Sequence, residues 1–538
     1  MTKWTPLIVL AAAQFLMVLD QAVMNVAISQ LVDDFDTTVT TIQAVIALYA
    51  LVMAALMMTG GKLGDLWGRR RVFAIGLLIY AVGSALTAVS WSVPSLMTGW
   101  SILEGIGAAL VLPALVALTA ANYKGADRAL AYGVLGGVAG AGIAVGPILG
   151  GWVTAELTWR LVFVGEVVLV LLILLSIRLI AEPPRERAPR LDWIGSVLTA
   201  LGLALIVFGL LQTANWGWLL PRNSPIEPFG LSLTPFVIAA GLGVLALFRA
   251  WQRHREHRRE DPLVHFRLFK IPNLNGGLAM LLAQNLILMG IFFTIPLYLQ
   301  IVLGFDALET GIRMLPASVT LFLSALGGAA LASRFAARPI VRVGLAIILV
   351  ASLMLLASVE SELDTAAFLI AMGVLGLGMG LISSQLGNVV QSAVGPRDRS
   401  EAGGLQFTAQ QLGSSMGTAV LGSIVISGLI LAFSTNVGSN PAISADVQEQ
   451  IEIALTGEVS FVGADEVRTG AEQAGVDEAT VNELVDDYEA AQLDALKLAF
   501  LLAGLLAAGS FFATRQLPTI RFAELESVPD PPMPDGPR

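Results

Sequence analysis

Long apolar stretches, separated by short charged or Pro/Gly-containing turns, follow one another along almost the whole chain. Residues 7–28, 72–89 and 161–180 each approach the roughly 20 apolar residues with which a helix crosses a hydrocarbon core about 30 Å thick. The pattern predicts a group of six transmembrane helices, then two, then six more. The predicted bounds are 7–29, 40–59, 72–91, 95–118, 130–153, 160–181, 193–212, 233–251, 275–303, 310–332, 341–360, 365–389, 403–433 and 494–515.

The charges of the short loops predict the orientation of these helices. Lys and Arg fall in alternate loops, beginning with Arg69 to Arg71, whereas the intervening loops carry acids such as Asp33, Asp34 and Asp36. Basic loops mark the cytoplasmic side of a membrane protein. An even number of spans therefore predicts a multi-pass protein of the cell inner (plasma) membrane with both termini in the cytoplasm.

Composition supports a membrane protein and removes several other classes. Of 538 residues, 56% are hydrophobic and only 13% charged, whereas soluble chains are about 25% charged. The first apolar run lacks a small-residue cleavage site, so we expect it to remain as a helix. The absence of cysteine excludes disulfides and thiolate chemistry. The net charge of -10 argues against nucleic acid as a partner.

One sizeable polar segment, residues 434–492, lies between the last two predicted spans. It is acidic, with Arg468 as its single basic residue, and is predicted to lie outside the membrane on the extracytoplasmic side. Thr480 and Glu483 have the spacing of a capping box for a helix that runs into the final span. The segment is either a solvated acidic loop or a surface that docks a partner or gates a substrate. Residues 516–538 form a predicted cytoplasmic tail.

Three carboxylates lie within predicted spans, namely Asp20, Glu104 and Glu166. The chain has no GxxxxGK[ST] phosphate loop, so an ion gradient is the expected energy source. Ionisable groups inside a membrane are costly unless they function there. Burial disfavours the charged form of a carboxylate, so such a group can take up and release a proton as its access alternates. The three are therefore candidates for proton coupling.

Each of these carboxylates also has a structural interpretation. Asp20 could hold its helix to a neighbour by hydrogen bonds. Glu104, which precedes Gly105, could be a neutral, packed acid. Glu166, near the start of a helix, could reach water or Arg160.

A glycine-rich, charged motif joins the second and third predicted spans. In residues 61–71, GKLGDLWGRRR, the glycines permit a tight turn, Asp65 can pair with a nearby Arg, and the arginines can anchor at lipid headgroups. Such a cluster can latch one conformation and release it. The motif resembles the signature of the major facilitator superfamily between these two spans. The residues that this resemblance assigns to the latch are Gly61, Gly64, Asp65, Gly68, Arg69 and Arg70.

A second motif, GVLGGVAGAGIAVGPILGG at residues 133–151, repeats small residues at three- and four-residue spacing, which lets helices approach closely. It is similar to the fifth-span motif of antiporters in that superfamily; the matching positions are Gly142, Gly146, Pro147, Gly150 and Gly151. Together with LDQAVMNVA at 19–27, TWRLVF at 158–163 and ETGIRMLP at 309–316, it resembles the fourteen-span drug:proton antiporter family. The alternative is helix packing only.

The sequence departs from that family at several positions. Ser101 stands where an Arg is usual, Glu104 is an added acid, Glu166 replaces an Asn, and Gln410 replaces an Arg. We therefore expect a cavity more negative than usual, which would favour cationic or neutral substrates. The other polar or aromatic candidates for a substrate cavity, each of which could instead serve helix packing, are Gln14, Asn25, Gln284, Asn285, Phe292, Gln385, Asn388 and Gln411.

No metal site or cofactor is expected. His254, His257 and His265 lie in a strongly basic linker without a suitable set of further ligands. The linker is expected to contact lipid headgroups instead.

The hydrophobic pattern predicts an all-α membrane protein with 14 transmembrane helices. The resemblance implies the major facilitator fold, in which these helices form two six-helix bundles plus two inserted helices. The expected divisions are 1–181 for the first bundle, 182–270 for the inserted helices and linker, and 271–538 for the second bundle with the acidic loop. The resemblance implies a proton-coupled exporter, not an enzyme, that acts as a monomer in multidrug efflux. Alternatives are a dedicated exporter of one endogenous lipid or metabolite, and a sensor or scaffold without transport.

Overall fold

Fourteen helices long and apolar enough to cross a membrane dominate the computed structural model. The structure describes residues 3–123, 125–182, 191–258, 260–332, 334–395, 398–455 and 461–520. The spans, numbered α1 to α14, are Thr5–Val26, Val39–Trp67, Arg69–Ala88, Val93–Asn122, Gly125–Glu156, Arg160–Leu179, Trp193–Leu211, Thr234–His257, Pro272–Val302, Ala307–Leu331, Ala337–Ala357, Thr365–Ser392, Arg399–Ser439 and Glu478–Ser510.

Helices are expected here because a chain in lipid must satisfy its backbone hydrogen bonds within each span. The predicted number of spans is confirmed, but three spans differ clearly from their predicted bounds. Helix α2 continues to Trp67 instead of ending at residue 59, and the last two spans are longer than predicted. Helix α13 continues to Ser439 and α14 begins at Glu478, so the acidic loop covers only residues 440–477. The predicted capping box is wrong, because Asp477 caps α14 by accepting a hydrogen bond from the backbone N–H of Thr480.

The spans form two six-helix bundles, α1–α6 and α9–α14, with α7 and α8 inserted as a hairpin. Helix α7 packs against α2 and α13, one helix from each bundle. Two of its contacts are polar: Thr59 Oγ1 donates to Ser196 Oγ at 2.9 Å, and Ser423 Oγ donates to the carbonyl of Leu210 at 3.1 Å. The inserted hairpin therefore contacts both bundles.

We call the membrane face that carries Arg69 to Arg71, at the start of α3, the basic face and the opposite one, with Asp33 to Asp36, the acidic face. The bundles meet along two seams, α2 with α13 and α5 with α10. Near the acidic face, a Cβ at Gly311 would overlap the carbonyl oxygen of Pro147, and one at Gly151 would overlap that of Ala307. The two backbones are thus in direct contact across the α5–α10 seam.

Hydrogen bonds also join the bundles near the acidic face. Gln300, close to the end of α9, donates to the carbonyl of Val26 at 2.8 Å and accepts from Ser29 Oγ at 2.6 Å. Across the other seam, Gln43 donates to the carbonyl of Thr418 at 2.9 Å. The structure therefore shows the acidic ends of the bundles held together.

Part of the acidic loop folds back on the second bundle. It contains the helices Ala445–Leu455 and Ala464–Gln473. Phe461 is buried, and the carbonyl of Val462 accepts a hydrogen bond of 2.7 Å from Gln492 of α14. The loop is therefore attached to α14 rather than fully solvated.

Candidate functional site

The three carboxylates that the sequence singles out come together inside the first bundle. Asp20 lies on α1, Glu104 on α4 and Glu166 on α6, and one oxygen from each lies within 4.8 Å of the other two. Their side chains are 0%, 0% and 2% exposed. Three residues separated by up to 146 positions in the sequence thus form one buried cluster, which we call the carboxyl cluster.

Local backbone features place Glu104 in this cluster. It ends a π-helical segment, Met97–Glu104, within α4, and such segments are frequent at functional sites. Two glycines allow α3 and α4 to meet there. A Cβ at Gly83 would lie 2.6 Å from Glu104 Cγ, and one at Gly99 would lie 2.7 Å from Thr87 Oγ1. Larger residues at either position would separate Glu104 from α3.

Polar side chains from α3 and α4 surround the cluster. Trp100 Nε1–H donates to Asp20 Oδ1 at 2.8 Å. Glu166 Oε2 accepts from the hydroxyls of Tyr80 at 3.3 Å and Ser84 at 3.1 Å. Thr87 Oγ1 lies 3.1 Å from Glu104 Oε1. Each carboxyl group therefore has one oxygen in contact with a fixed polar group.

The second oxygen of each carboxyl group is buried and unpartnered. Among the described residues, Asp20 Oδ2, Glu104 Oε2 and Glu166 Oε1 have no hydrogen-bond partner. The Tyr49 hydroxyl is likewise unpartnered, and its ring stacks on Trp100 at 4.5 Å between centroids. Buried polar atoms are normally hydrogen-bonded, so these atoms mark a place where an exchangeable species is expected.

Charge repulsion limits how many of these groups can be ionised together. None of the ion pairs among the described residues involves the cluster. Two unit charges 4.8 Å apart repel by about 3.5 kcal/mol at an effective dielectric constant of about 20. The cluster must therefore bind either protons or a hard cation, whose usual ligands are carboxylate oxygens.

The alternative role considered for Glu166 is excluded by its surroundings. Arg160 pairs with Asp34 at 2.6 Å and donates to the carbonyl of Ser90 at 3.2 Å near the acidic face. Glu166 instead faces the bundle interior and has no access to water there. The structure therefore does not support the alternative in which Glu166 reaches Arg160 or water, because α6 turns this side chain toward Tyr80 and Ser84 of α3.

The motif at residues 61–71 lies at the basic face. Gly68 adopts a φ of 101°, which an L-residue strongly disfavours, and so allows the turn between α2 and α3. Arg69 pairs with Asp65 at 3.1 Å. Arg70 Nη1 donates to the carbonyl of Ile180 at 3.0 Å. Gly61 and Gly64 line the end of α2. The described contacts of Asp65, Arg69 and Arg70 thus tie α2 and α3 to the end of α6.

The small-residue motif at residues 133–151 lies on α5, which faces both bundles. On one side, α5 packs closely against α1. A Cβ added at Gly142 would contact Val18, one at Gly146 would contact Ala22, and one at Gly150 would contact Val23. Gly151 and the carbonyl of Pro147 face α10, as described above. Small residues on two sides of one helix therefore permit close packing within the bundle and across the seam.

The predicted cavity residues separate into two groups. Gln284 donates to the carbonyl of Met379 at 3.1 Å, and Gln385 to that of Gly328 at 2.8 Å, which favours a packing role within the second bundle. Phe292 is buried. Gln21 Nε2 lies 3.5 Å from Gln411 Oε1 across the bundles. Of the predicted cavity residues, Gln14, Asn285 and Asn388 are at least partly accessible, while Asn25 is buried and donates to the carbonyl of Gln21.

Asp192, at the base of the inserted hairpin, is a buried polar residue that the sequence pattern did not mark as functional. Asp192 accepts hydrogen bonds from Trp251 Nε1 at 2.9 Å and Gln252 Nε2 at 2.6 Å, and from the backbone N–H of Gly195. Gln252 Oε1 accepts from the N–H of Leu263. The signal available in the sequence was an Asp immediately before an apolar run, the usual N-cap pattern.

The linker after this hairpin is attached to α13 by a titratable pair. His265 Nδ1 lies 2.9 Å from Glu401 Oε2, and Glu401 raises the pKa of His265 above its ordinary value of 6.5 although burial, Lys62 and Arg267 oppose this effect. The stabilisation is therefore complete below about pH 6.5 and is lost as pH rises through the raised value.

We expect His265→Gln to lower the thermal stability of the purified protein more at mildly acidic than at mildly alkaline pH. The His265 side chain is 35% exposed, so the free energy involved should not exceed about 1 kcal/mol. Melting temperatures across that pH range check this. A stability difference that grows with pH would contradict the assignment, and His257→Gln, at the end of α8, serves as a control.

Comparison with known proteins places this geometry in context. The model of the "Major Facilitator Superfamily" matches residues 10–418. The chain is 31% identical over 431 residues to the "Probable actinorhodin transporter" of Streptomyces coelicolor, covering 78% of this chain and 72% of that protein. It is 30% identical over 423 residues to the "Multidrug efflux pump LfrA" of Mycolicibacterium smegmatis, covering 78% and 80%.

Among solved structures, the fold is similar to a bacterial homologue of the human lysosomal transporter Spinster. The TM-score is 0.62 at 16% identity, over 96% of this chain and 97% of that chain. The human organic anion transporter MFSD10 aligns with a TM-score of 0.56 at 14% identity, over 96% and 100%. At these identities the structural similarity concerns the fold alone.

Proposed function

The chain belongs to the major facilitator superfamily, and we propose that it is a proton-coupled exporter of small amphipathic compounds. Its relatives include antibiotic exporters and multidrug efflux pumps. The observation that supports proton coupling is the convergence of Asp20, Glu104 and Glu166 in one buried cluster without a basic partner among the described residues. Transport would be a secondary process without chemical conversion of the substrate.

The coupling follows from the electrostatics of the cluster. With the acidic ends of the bundles closed, a proton can leave toward the basic face only if the remaining carboxylate charge is stabilised. Proton binding from the opposite side neutralises that charge and lowers its cost of burial. Asp20 is central in this proposal, because Trp100 ties its Oδ1 to α4, its Oδ2 is unpartnered, and one of its oxygens lies within 4.8 Å of Glu104 and Glu166.

The proposed orientation of the protein in the membrane follows from the positions of its basic residues. Arg69 to Arg71 and the linker that contains His265 share one face, which we assign to the cytoplasm. Both termini would then be cytoplasmic. The ties of Arg69 to Asp65 and of Arg70 to the carbonyl of Ile180 act within the first bundle, so the latch would move with that bundle as a rigid unit.

The proposed substrate class rests on the uncharged character of one position on α13. Glu104 and Glu166 are enclosed in the bundle and are not exposed to a central cavity, which removes them as reasons for a negative cavity. Ser101 is also buried and donates to the carbonyl of Val45 at 2.8 Å. The remaining support for cationic or neutral substrates is Gln410, an uncharged residue at a half-buried position of α13.

A dedicated exporter of a single compound is the second candidate. It is favoured by relatives whose names refer to one compound, such as the "Tetracenomycin C resistance and export protein" of Streptomyces glaucescens, 28% identical over 79% of this chain and 76% of that protein. The acidic loop, which is attached to α14 through Val462, would fit a specialised outer surface.

A transport panel distinguishes the two candidates. Cells that express the protein would be loaded with ethidium, a neutral macrolide and an anionic dye, and efflux would be recorded with and without a protonophore. We expect protonophore-sensitive efflux of the cation and the neutral compound. Best transport of the anionic dye would contradict the proposed substrate class, and movement of none of the three would favour the dedicated exporter.

A further inference from the structure

We propose that the second bundle binds an anionic phospholipid at the basic face, with the headgroup at Arg342 and Arg515 and the acyl chains along α11 and α14. We call these two residues, together with the neighbouring Arg338, the arginine site. The site lies in the other bundle from the carboxyl cluster, and the proposal does not depend on the transported substrate or on proton coupling.

The chain after α14 folds back onto the start of α11. A short 3₁₀-helix follows α14 there. Arg338 Nε donates to the carbonyl of Leu517 at 3.0 Å, and its Nη2 donates to the carbonyl of Arg515. One turn later on α11, Arg342 Nε donates to Thr514 Oγ1 at 2.9 Å. Two guanidinium groups thus contact the short segment that carries a third.

No carboxylate neutralises these charges within the described part of the chain. The salt bridges found there include none of Arg338, Arg342 and Arg515. Arg515 Cζ instead lies 4.1 Å from the centroid of the Phe512 ring. A guanidinium group is always charged, and it binds a phosphate through two parallel hydrogen bonds. An anion that accepts from these groups would therefore stabilise them.

The exposed surfaces of α11 and α14 indicate what kind of anion fits. Each helix carries an exposed stripe of apolar residues at helical spacing, and each stripe leads to one of the arginines. On α11 the stripe leads to Arg342, which is itself exposed, and on α14 it leads to Phe512 and so to Arg515. The exposed residues are Ala346, Val350 and Leu353 on α11 and Leu501, Leu505 and Phe512 on α14.

The two helices that carry these stripes are in direct contact. A Cβ at Gly504 of α14 would lie 3.4 Å from Leu349 Cδ1 and 3.4 Å from Ser352 Cβ of α11. A lipid whose acyl chains follow both helices would therefore place its phosphate at the arginine site. Arginine near the membrane surface attracts anionic lipids. A free phosphate would use the arginines alone, so the apolar stripes favour the phospholipid.

Fluorescence quenching by labelled lipids tests the proposal directly. The chain contains no cysteine, and Gly509 of α14 is exposed with nothing within 4 Å of a Cβ, so Gly509→Cys can carry a fluorophore beside the site. In vesicles, brominated phosphatidylglycerol and brominated phosphatidylcholine would be compared as quenchers. We expect phosphatidylglycerol to associate at least about fivefold more strongly, the effect of roughly one arginine on an anionic lipid.

Substitution of the arginines should remove this preference. Arg342→Gln combined with Arg515→Gln should make the two lipids equal as quenchers. The matched control combines Arg249→Gln and Arg253→Gln, which removes two exposed arginines of α8 toward the same face and should leave the preference intact. An unchanged preference in the first pair, or equal losses in both pairs, would overturn the proposal.

Two further arms separate the lipid from other anions. Inorganic phosphate, added at constant ionic strength, should leave the preference for phosphatidylglycerol in place; its loss would show that free anions fill the site and would overturn the lipid assignment. The tail contains Glu524 and Glu526. Glu524→Gln combined with Glu526→Gln should not change the preference, and a rise of several-fold would show that the tail occupies the site instead.

Discussion

Asp20→Asn is expected to abolish proton-driven efflux while the protein still folds. The amide has nearly the same shape and can keep the hydrogen bond of 2.8 Å from Trp100 through its oxygen, but it cannot bind and release a proton. We expect efflux of ethidium to fall by about tenfold or more, which corresponds to about 1.4 kcal/mol. The measurement is protonophore-sensitive efflux from cells that contain equal amounts of each protein.

Asp446→Asn provides a matched control, because Asp446 is an exposed acid in the loop between α13 and α14. It removes the same carboxylate charge far from the cluster and should leave efflux unchanged. Full efflux by Asp20→Asn would contradict a role of Asp20 in coupling. Equal losses in both variants would mean that the effect comes from overall charge.

Gly311→Val is expected to prevent the acidic ends of the bundles from closing. Any side chain at this position would overlap the carbonyl oxygen of Pro147, in a contact between two backbones that cannot be relieved by a rotamer change. The chain contains no cysteine, so a Ser29→Cys and Gln300→Cys pair can report closure by cross-linking. We expect Gly311→Val to reduce this cross-link several-fold and to reduce efflux accordingly.

Substitutions at two further glycines serve as controls for Gly311→Val. A Cβ at Gly376 of α12 would overlap the carbonyl oxygen of Ala317 of α10, within one bundle. Gly376→Val should therefore reduce the yield of folded protein. Nothing lies within 4 Å of a Cβ at Gly165, so Gly165→Val should behave as the wild type. Unchanged cross-linking in Gly311→Val would show that the α5–α10 seam does not control closure.

Most of the architecture could be predicted from the sequence because lipid imposes a simple rule. Each span needs about 20 apolar residues, and charged turns such as that around Asp65 and Arg69 interrupt the apolar pattern. The family assignment, which rested on this turn and on residues 133–151, is confirmed. The ends of α13 and α14 were placed less well, because both helices extend beyond the apolar core into polar sequence at Ser439 and Glu478.

Only part of the candidate site could be predicted from the sequence. Asp20, Glu104 and Glu166 could be selected as costly charges within spans, but no periodicity shows that three helices turn them toward one point. The donors Trp100, Ser84 and Thr87 carry no signal of their own in an apolar segment. Whether Glu166 faces Arg160, a cavity or the bundle interior depends on the rotation of α6, which the sequence does not show; the structure places Glu104 and Glu166 in the bundle interior.

The most direct test of proton coupling through the cluster uses purified protein in liposomes loaded with ethidium. An imposed pH gradient and an imposed Na⁺ gradient would be compared for the wild type and Asp20→Asn. The account predicts that the pH gradient drives ethidium movement in the wild type, that the Na⁺ gradient does not, and that Asp20→Asn responds to neither. Movement driven by Na⁺, or a full response of Asp20→Asn to the pH gradient, would contradict it.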